Sequence, residues 1–232
     1  MTFILPSFGA STISAVSAGG GGGGGGGSYS NSHSLDFDGT NDYARSDSTF
    51  AGSQISVSVW INFPSINDQE YIIWSPTYQL RLRTSGPWLQ YSGYDQVKPG
   101  SQYSAITPAI NSWNHIVTTS DGTAHKIYWN GSLLGSKTQD TITSTTTFRV
   151  GGYGAYYIGK VDELAIWHSV LSASDVTAIY NSGSADDVSS YNPLYWYRME
   201  DTNSGAGPIT DEQGNGADMT LINGPTFSTS TP

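Results

Sequence analysis

Residues 157–183 read YIGKVDELAIWHSVLSASDVTAIYNSG, and two periodicities meet in them. From Val161 to Trp167 the apolar side chains alternate as in a strand, in which Asp162 shares a face with Leu164 and Ile166 while Glu163 points the other way. A carboxylate on that apolar face needs compensation, from a cation or from hydrogen-bond donors. After Leu171 the spacing changes. Ser172 is placed to cap a short helix, Asp175 at its third position completes a capping pair, and Gly183 lies just beyond its end. Val176, Ile179 and Tyr180 recur at intervals of three and one and make the stripe to be buried.

Upstream, short alternating runs are separated by turn residues. Leu35 and Phe37 alternate with Asp36 and Asp38 ahead of the turn Gly39-Thr40-Asn41-Asp42. Ile55, Val57 and Val59 alternate with serines and lead into Trp60 and Ile61, and residues 71–74, 79–83 and 114–119 continue the pattern. Residues 124–129 run into Asn130-Gly131, a dipeptide suited to a tight hairpin with positive φ. Asn130-Gly131-Ser132 also matches a glycosylation sequon, although the turn already accounts for both residues. Many short strands with a single helix predict an all-β, two-sheet antiparallel sandwich.

The 232 residues suffice for one large sandwich with tails, and only 12% are charged. Nineteen acidic against nine basic residues give a net charge of −10, which repels phosphate backbones and excludes nucleic acid as the expected partner. No run approaches the roughly 20 apolar residues of a membrane span, so membrane insertion is not expected. The chain has no cysteine.

Residues 19–27 are glycine throughout, a tract with nothing to bury and much backbone entropy to lose on ordering. Residues 19–33 read as a linker and residues 1–18 as an anchoring peptide, whose Phe3, Ile4, Leu5 and Phe8 offer an apolar patch too small to fold without a partner. Its apolar start carries no Lys or Arg and is interrupted by Pro6 and Gly9, unlike a signal peptide. Residues 34–232 are the sandwich.

The segments SLDFDGTNDYA, ISVSVWINF, WNHIVTTSDGTAHKIYWNGSLLGS and YIGKVDELAIWHSVLSASDVTAIYNSG occur in this order over about residues 34–183. Together they resemble the laminin-G-like branch of the concanavalin-A-like lectin superfamily, which implies a jelly-roll sandwich. The tail YWYRMEDTNSGAGPITDEQGNGADMTLINGP resembles the strand and loop that precede the FDGTNDY-like segment in that family. Residues 193–223 are therefore expected to complete the sheet, as in a circular permutation, the alternative being the start of a truncated second copy.

The resemblance also implies a calcium ion at one edge of the sandwich, with Asp38 and Asp162 at the matching positions and Asn41 and Asp42 as further candidate ligands. The alternative is that Asp162 accepts backbone N–H groups without metal and that Asn41 and Asp42 are ordinary turn residues. For a sugar, aromatic faces on glycine-rich loops are the candidates. Two clusters qualify, Trp88, Tyr91 and Tyr94, and Tyr153, Tyr156 and Tyr157. Packing over the sandwich end or against a neighbouring subunit is the blander account of each. Trp60, Trp74, Trp113 and Trp129 read as core.

Glucanases of the same superfamily resemble one another in a strand bearing carboxylates at alternate positions. Asp162 and Glu163 are adjacent instead, and His33, His115, His125 and His168 show no nucleophile or metal-ligand spacing. The expected function is thus a non-catalytic, lectin-like adhesion or decoration module. A low-cysteine, tethered sandwich of this composition resembles decoration or fibre proteins of bacterial viruses, which implies a virion surface, multicopy display, other assembly proteins as partners of residues 1–18, and cell-surface glycans as ligands. A secreted or cell-surface location is the alternative. A glycan-processing enzyme or its carbohydrate-binding accessory is the second reading and a purely structural capsid or surface-layer component the third.

Overall fold

The computed structural model describes residues 29–49, 51–67, 70–83, 88–93, 102–105, 109–138, 147–199 and 208–232. In chain order the strands are β1 (Ser34–Asp38), β2 (Tyr43–Ser46), β3 (Ile55–Asn62), β4 (Tyr71–Trp74) and β5 (Tyr78–Arg83). Next come β6 (Trp88–Gly93), β7 (Gln102–Ala105), β8 (Asn114–Ser120), β9 (Ala124–Trp129), β10 (Ser132–Thr138), β11 (Phe148–Val150) and β12 (Ile158–Trp167). The helix α1 (Ala173–Tyr180) and the strands β13 (Tyr195–Tyr197), β14 (Thr220–Ile222) and β15 (Thr226–Ser228) close the chain.

These strands form two antiparallel sheets. The first has the order β10-β9-β8-β3-β12-β1-β15, and the second β14-β2-β11-β4-β5-β6-β7. Between them lies the main core, to which the inward residues of both sheets contribute, among them Phe37, Val59, Ile61, Leu80, Phe148 and Leu164. A second apolar layer, including Val117, Trp167, Val176, Ile179 and Trp196, packs α1 on the outer face of the first sheet. The C-terminal stretch adds to both sheets. β13 pairs with Leu164–Ile166 of β12, end to end with β1, which pairs with residues 158–161. β14 extends the second sheet beside β2, and β15 pairs with β1.

The capping pair of α1 is present: the Ser172 side chain accepts the Asp175 N–H at 3.1 Å and the Asp175 carboxylate accepts that of Ser172 at 2.8 Å. The left-handed cap is Asn181, with φ 44°, rather than Gly183, because a short polar side chain also tolerates that region. Asn130 and Gly131 take φ of 47° and 76°, as the hairpin requires, and the Asn130 side chain additionally accepts the His115 N–H at 2.7 Å.

Besides a register shift in β10 between Leu133 and Gly135, two bulges depart from simple alternation in the sheet interiors. In β12 the register slips between Asp162, opposite Trp60, and Ala165, opposite Ser58. In β4 it slips between Tyr71, opposite Arg81, and Ile73, opposite Leu80. One extra residue reverses the parity of all that follows. Val161, Leu164 and Ile166 therefore face the main core, and Asp162 lies on the other face with Trp60, against the parity expected from the sequence. In β4, Ile72 and Ile73 both pack inward, which leaves Tyr71 and Trp74 on the outer face.

The tryptophans expected in the core divide accordingly. Of the four, Trp129 packs against the main core. Trp60 is buried under the helix side, stacked on His115 at 4.7 Å and on Tyr180 at 5.8 Å, while Trp74 and Trp113 are half-buried and their indole N–H groups lack a protein acceptor.

His115 is fully buried, 2.7 Å from the Ser58 hydroxyl, and burial pushes its pKa down to about 3. Its folded pKa lies below that of the unfolded chain, so the unfolded state takes up the proton as the pH falls. Stability is complete above pH 6.5 and declines below it. Between pH 7 and 5 this group should cost about 2 kcal/mol of unfolding free energy, at ~1.4 kcal/mol per pH unit. Urea unfolding of the parent and of His115→Gln at the two pH values checks this; the same pH dependence in both proteins would refute it.

Candidate functional site

The acids singled out in the sequence occupy two separate places. Asp162 and Glu163 sit at the β12 bulge, where Glu163 adopts φ 48° and both side chains turn toward the helix-covered side. Asp162 is 0% exposed and accepts the Asn31 amide and the Glu163 backbone N–H, each at 2.9 Å. Glu163 accepts the Trp196 indole N–H at 2.7 Å and the Tyr29 hydroxyl, with Arg198 Nε 3.7 Å away. Burial and then the Glu163 charge hold the Tyr29 phenol well above its ordinary pKa.

Asp38 is opposite Ile158 in the β1–β12 register, four positions along β12 from Asp162, or about 13 Å at the strand rise. The structure thus does not bring Asp38 and Asp162 together. It brings Asp38 to Asp42. Asp38 Oδ1 accepts the Thr40 N–H at 2.7 Å, and Asp42 Oδ2 accepts the Asp38 N–H at 3.4 Å. Burial, then the Asp38 charge, raise the Asp42 pKa. Asn41 contributes its carbonyl to the Asn223 side chain at 2.9 Å.

On its other side Asp38 lines a depression with Asn67, Glu70 and Tyr156. Glu70 is 4% exposed, burial raises its pKa, and its Oε2 lacks a partner. Among the described residues no three acids or histidines form a metal cluster. A hard cation at this edge would need Asp38 and Glu70 to be joined by backbone or amide oxygens, a donor set that suits Ca2+.

The aromatic residues divide too. Tyr157 is fully buried: it packs edge-on against Phe37 and donates its hydroxyl to the Asn62 carbonyl at 2.9 Å, so it belongs to the core rather than to a ligand surface. The loop before it closes tightly, since a Cβ on Gly151, at φ 94°, would lie 2.3 Å from the Phe37 ring. Trp88 is opposite Arg83 and Tyr91 opposite Leu80 in the β5–β6 register. Phe3, Ile4, Leu5, Phe8 and Tyr94 lie outside the described residues.

Tyr153 is 44% exposed and stacks on Trp74, ring centroids 3.7 Å apart and planes 10° from parallel. Arg149 stands among these rings, its guanidinium carbon 4.9 Å from the Tyr153 centroid, 5.7 Å from Trp74 and 4.5 Å from Tyr43. Cross-strand register explains the grouping. Arg45, Arg149, Trp74 and Gln79 are successive neighbours across β2, β11, β4 and β5, on the face away from the core. Sequence reading found Tyr153 but missed Tyr43, Trp74, Gln79 and Arg149, which come from four separate segments.

A family model described as the concanavalin A-like lectin/glucanases superfamily matches residues 38–177. The chain belongs to that superfamily. No curated protein matches it in sequence. Among solved structures, a candidate carbohydrate binding protein from Bacteroides ovatus is similar at TM-score 0.68 and 19% identity, over 85% of this chain and 60% of that one. A heptameric SAP-like pentraxin from Limulus polyphemus aligns at 0.60 and 17%, over 86% and 96% of the two chains. The CBM40 of the Ruminococcus gnavus IT-sialidase, bound to α2,3-sialyllactose, aligns at 0.51 and 13%, over 63% and 96%. At these identities the likeness concerns the fold.

The Glu163 network has a direct test. Glu163→Ala leaves the buried Trp196 N–H and Tyr29 hydroxyl without an acceptor and should lower the unfolding free energy by about 3 kcal/mol. Glu163→Gln keeps one acceptor and should cost clearly less in the same urea titration. Equal losses would show that only the charge matters.

Proposed function

We propose that this superfamily member is a non-catalytic, lectin-like module that binds glycan on the outer face of the second sheet, around Tyr153, Trp74, Arg149 and Tyr43. The observation that carries the proposal is the exposed Tyr153–Trp74 stack beside unpartnered polar atoms. Sugars present C–H faces to aromatic rings and hydroxyls to adjacent polar groups, and this surface offers both. The carbohydrate-binding neighbours of the same fold support the reading. Asp162 and Glu163 are committed to buried donors, which favours binding over glycoside hydrolysis.

Display on a virion or other particle surface, with docking through residues 1–18, belongs to the same proposal and rests on the glycine tract. Repeated copies would turn weak single-site binding into avidity. A calcium ion held by Asp38 and Glu70 with nearby carbonyl oxygens would brace the β1–β2 turn, a role supported by the unpartnered Glu70 oxygen. Tyr156 lines that depression and so sits with the cation edge rather than with Tyr153.

Two measurements test these statements. In a glycan array, the parent should bind a defined glycan class and Tyr153→Ala should lose most of that signal at unchanged melting temperature. Absence of binding to any glycan would overturn the lectin reading. Calcium should raise the melting temperature of the parent relative to chelator, and Asp38→Asn should abolish the rise. A melting temperature indifferent to calcium would rule the cation out.

A further inference from the structure

Arginine in an acidic protein ordinarily finds a carboxylate, and three of the other described cations do: Arg45 with Asp47 at 3.1 Å, Lys160 with Asp36 at 3.2 Å, and Arg198 with Glu163. Arg149 has no ion-pair partner among the described residues, although the chain carries a net charge of −10. It is held instead by the three rings of Tyr43, Trp74 and Tyr153. A guanidinium stacked on aromatic faces is fixed in direction and weakly hydrated, so it presents its fork to a ligand with little ordering left to lose.

The row around it is also short of hydrogen bonds. Arg149 Nε, Trp74 Nε1 and Gln79 Oε1 are buried without a partner, and Gln79 is only 4% exposed. Trp74 is the cross-strand neighbour of both others. Buried polar atoms left open in one row mark a place where an outside molecule or ordered water completes the bonding. Their chemistry is mixed. Gln79 Oε1 needs a donor, which a hydroxyl supplies; Trp74 Nε1 needs an acceptor; and the guanidinium fork matches two oxygens of one carboxylate. A bare anion cannot satisfy Gln79, and a neutral sugar leaves the fork unmatched.

We propose that this row recognises a carboxylate-bearing sugar, of the uronic or sialic acid type, with Arg149 on the carboxylate and Tyr153 against the ring. This rests on the glycan-binding reading above and names its ligand class. The full chain is titrated with oligogalacturonate, sialyllactose, their carboxyl-esterified forms, neutral lactose and a sulfated galactan oligosaccharide that carries no carboxylate. One of the two carboxylated sugars should bind, roughly tenfold or more tighter than its ester, and whichever binds identifies the source. Arg149→Gln should erase that preference while keeping weak binding of the neutral form, and Arg149→Lys, which keeps the charge without the fork, should lose most of it.

Equal binding of acid and ester, or an undiminished preference in Arg149→Gln, would overturn the carboxylate assignment and leave the lectin reading standing. Preference for the sulfated sugar alone would overturn it as well. No binding of any sugar would remove both. Melting temperatures of the variants, expected within a few degrees of the parent, separate lost recognition from lost folding.

Discussion

Adjacent carboxylates in a strand buried on both faces persist only where donors are brought to them, and this requirement organises the first sheet. β12 carries Asp162 and Glu163 between β3 on one side and β1 and β13 on the other. An unbroken strand would direct the two acids to opposite faces. The bulge turns both to the helix side, at the cost of a positive φ at Glu163, and there the donors converge from both ends of the sandwich sequence. Asn31 and Tyr29 arrive ahead of β1, Trp196 and Arg198 from and just after β13. Segments more than 160 residues apart in sequence are thereby held at one point.

The same device shapes the second sheet. With a regular alternation, residues 71–74 would place Ile72 and Ile73 on opposite faces; the bulge lets both enter the core and leaves Trp74 outside beside Arg149. Neither bulge shows in the sequence, because an extra residue in a strand has no compositional mark when it repeats the chemistry of the residue beside it, as Glu163 repeats Asp162 and Ile73 repeats Ile72. That is why the strands, the Ser172–Asp175 capping pair and the Asn130-Gly131 turn were legible while the facing of Asp162 and Trp74 was not. Local signals specify local structure, whereas parity after a bulge is set by the partner strand.

The candidate site was legible only in part for a related reason. Tyr153 is marked by its glycine-rich loop, but Tyr157, four residues later at the end of the same loop, turns inward over Phe37. Arg149, Trp74 and Tyr43 become neighbours only through the pairing of β2, β11 and β4. The resemblance-based pairing of Asp38 with Asp162 failed on register. Pairing Asp38 with Ile158 fixes Asp162 four positions away, beyond the reach of a shared ion, and the acid that does approach Asp38 across the other depression is Glu70.

The arrangement of the two sheets bears on how such a module is displayed. The outer face of the first sheet is closed by α1 and by the Tyr29 side chain, so the segment that follows the glycine tract is pinned on that side of the sandwich. The aromatic row lies on the outer face of the second sheet, with the main core between. Tyr29 itself therefore lies on the side opposite the proposed ligand surface. On the proposed anchoring through residues 1–18, Tyr153 and Arg149 would face away from the anchor, and what the acid network at Glu163 holds in place is Tyr29 and Asn31, ahead of β1.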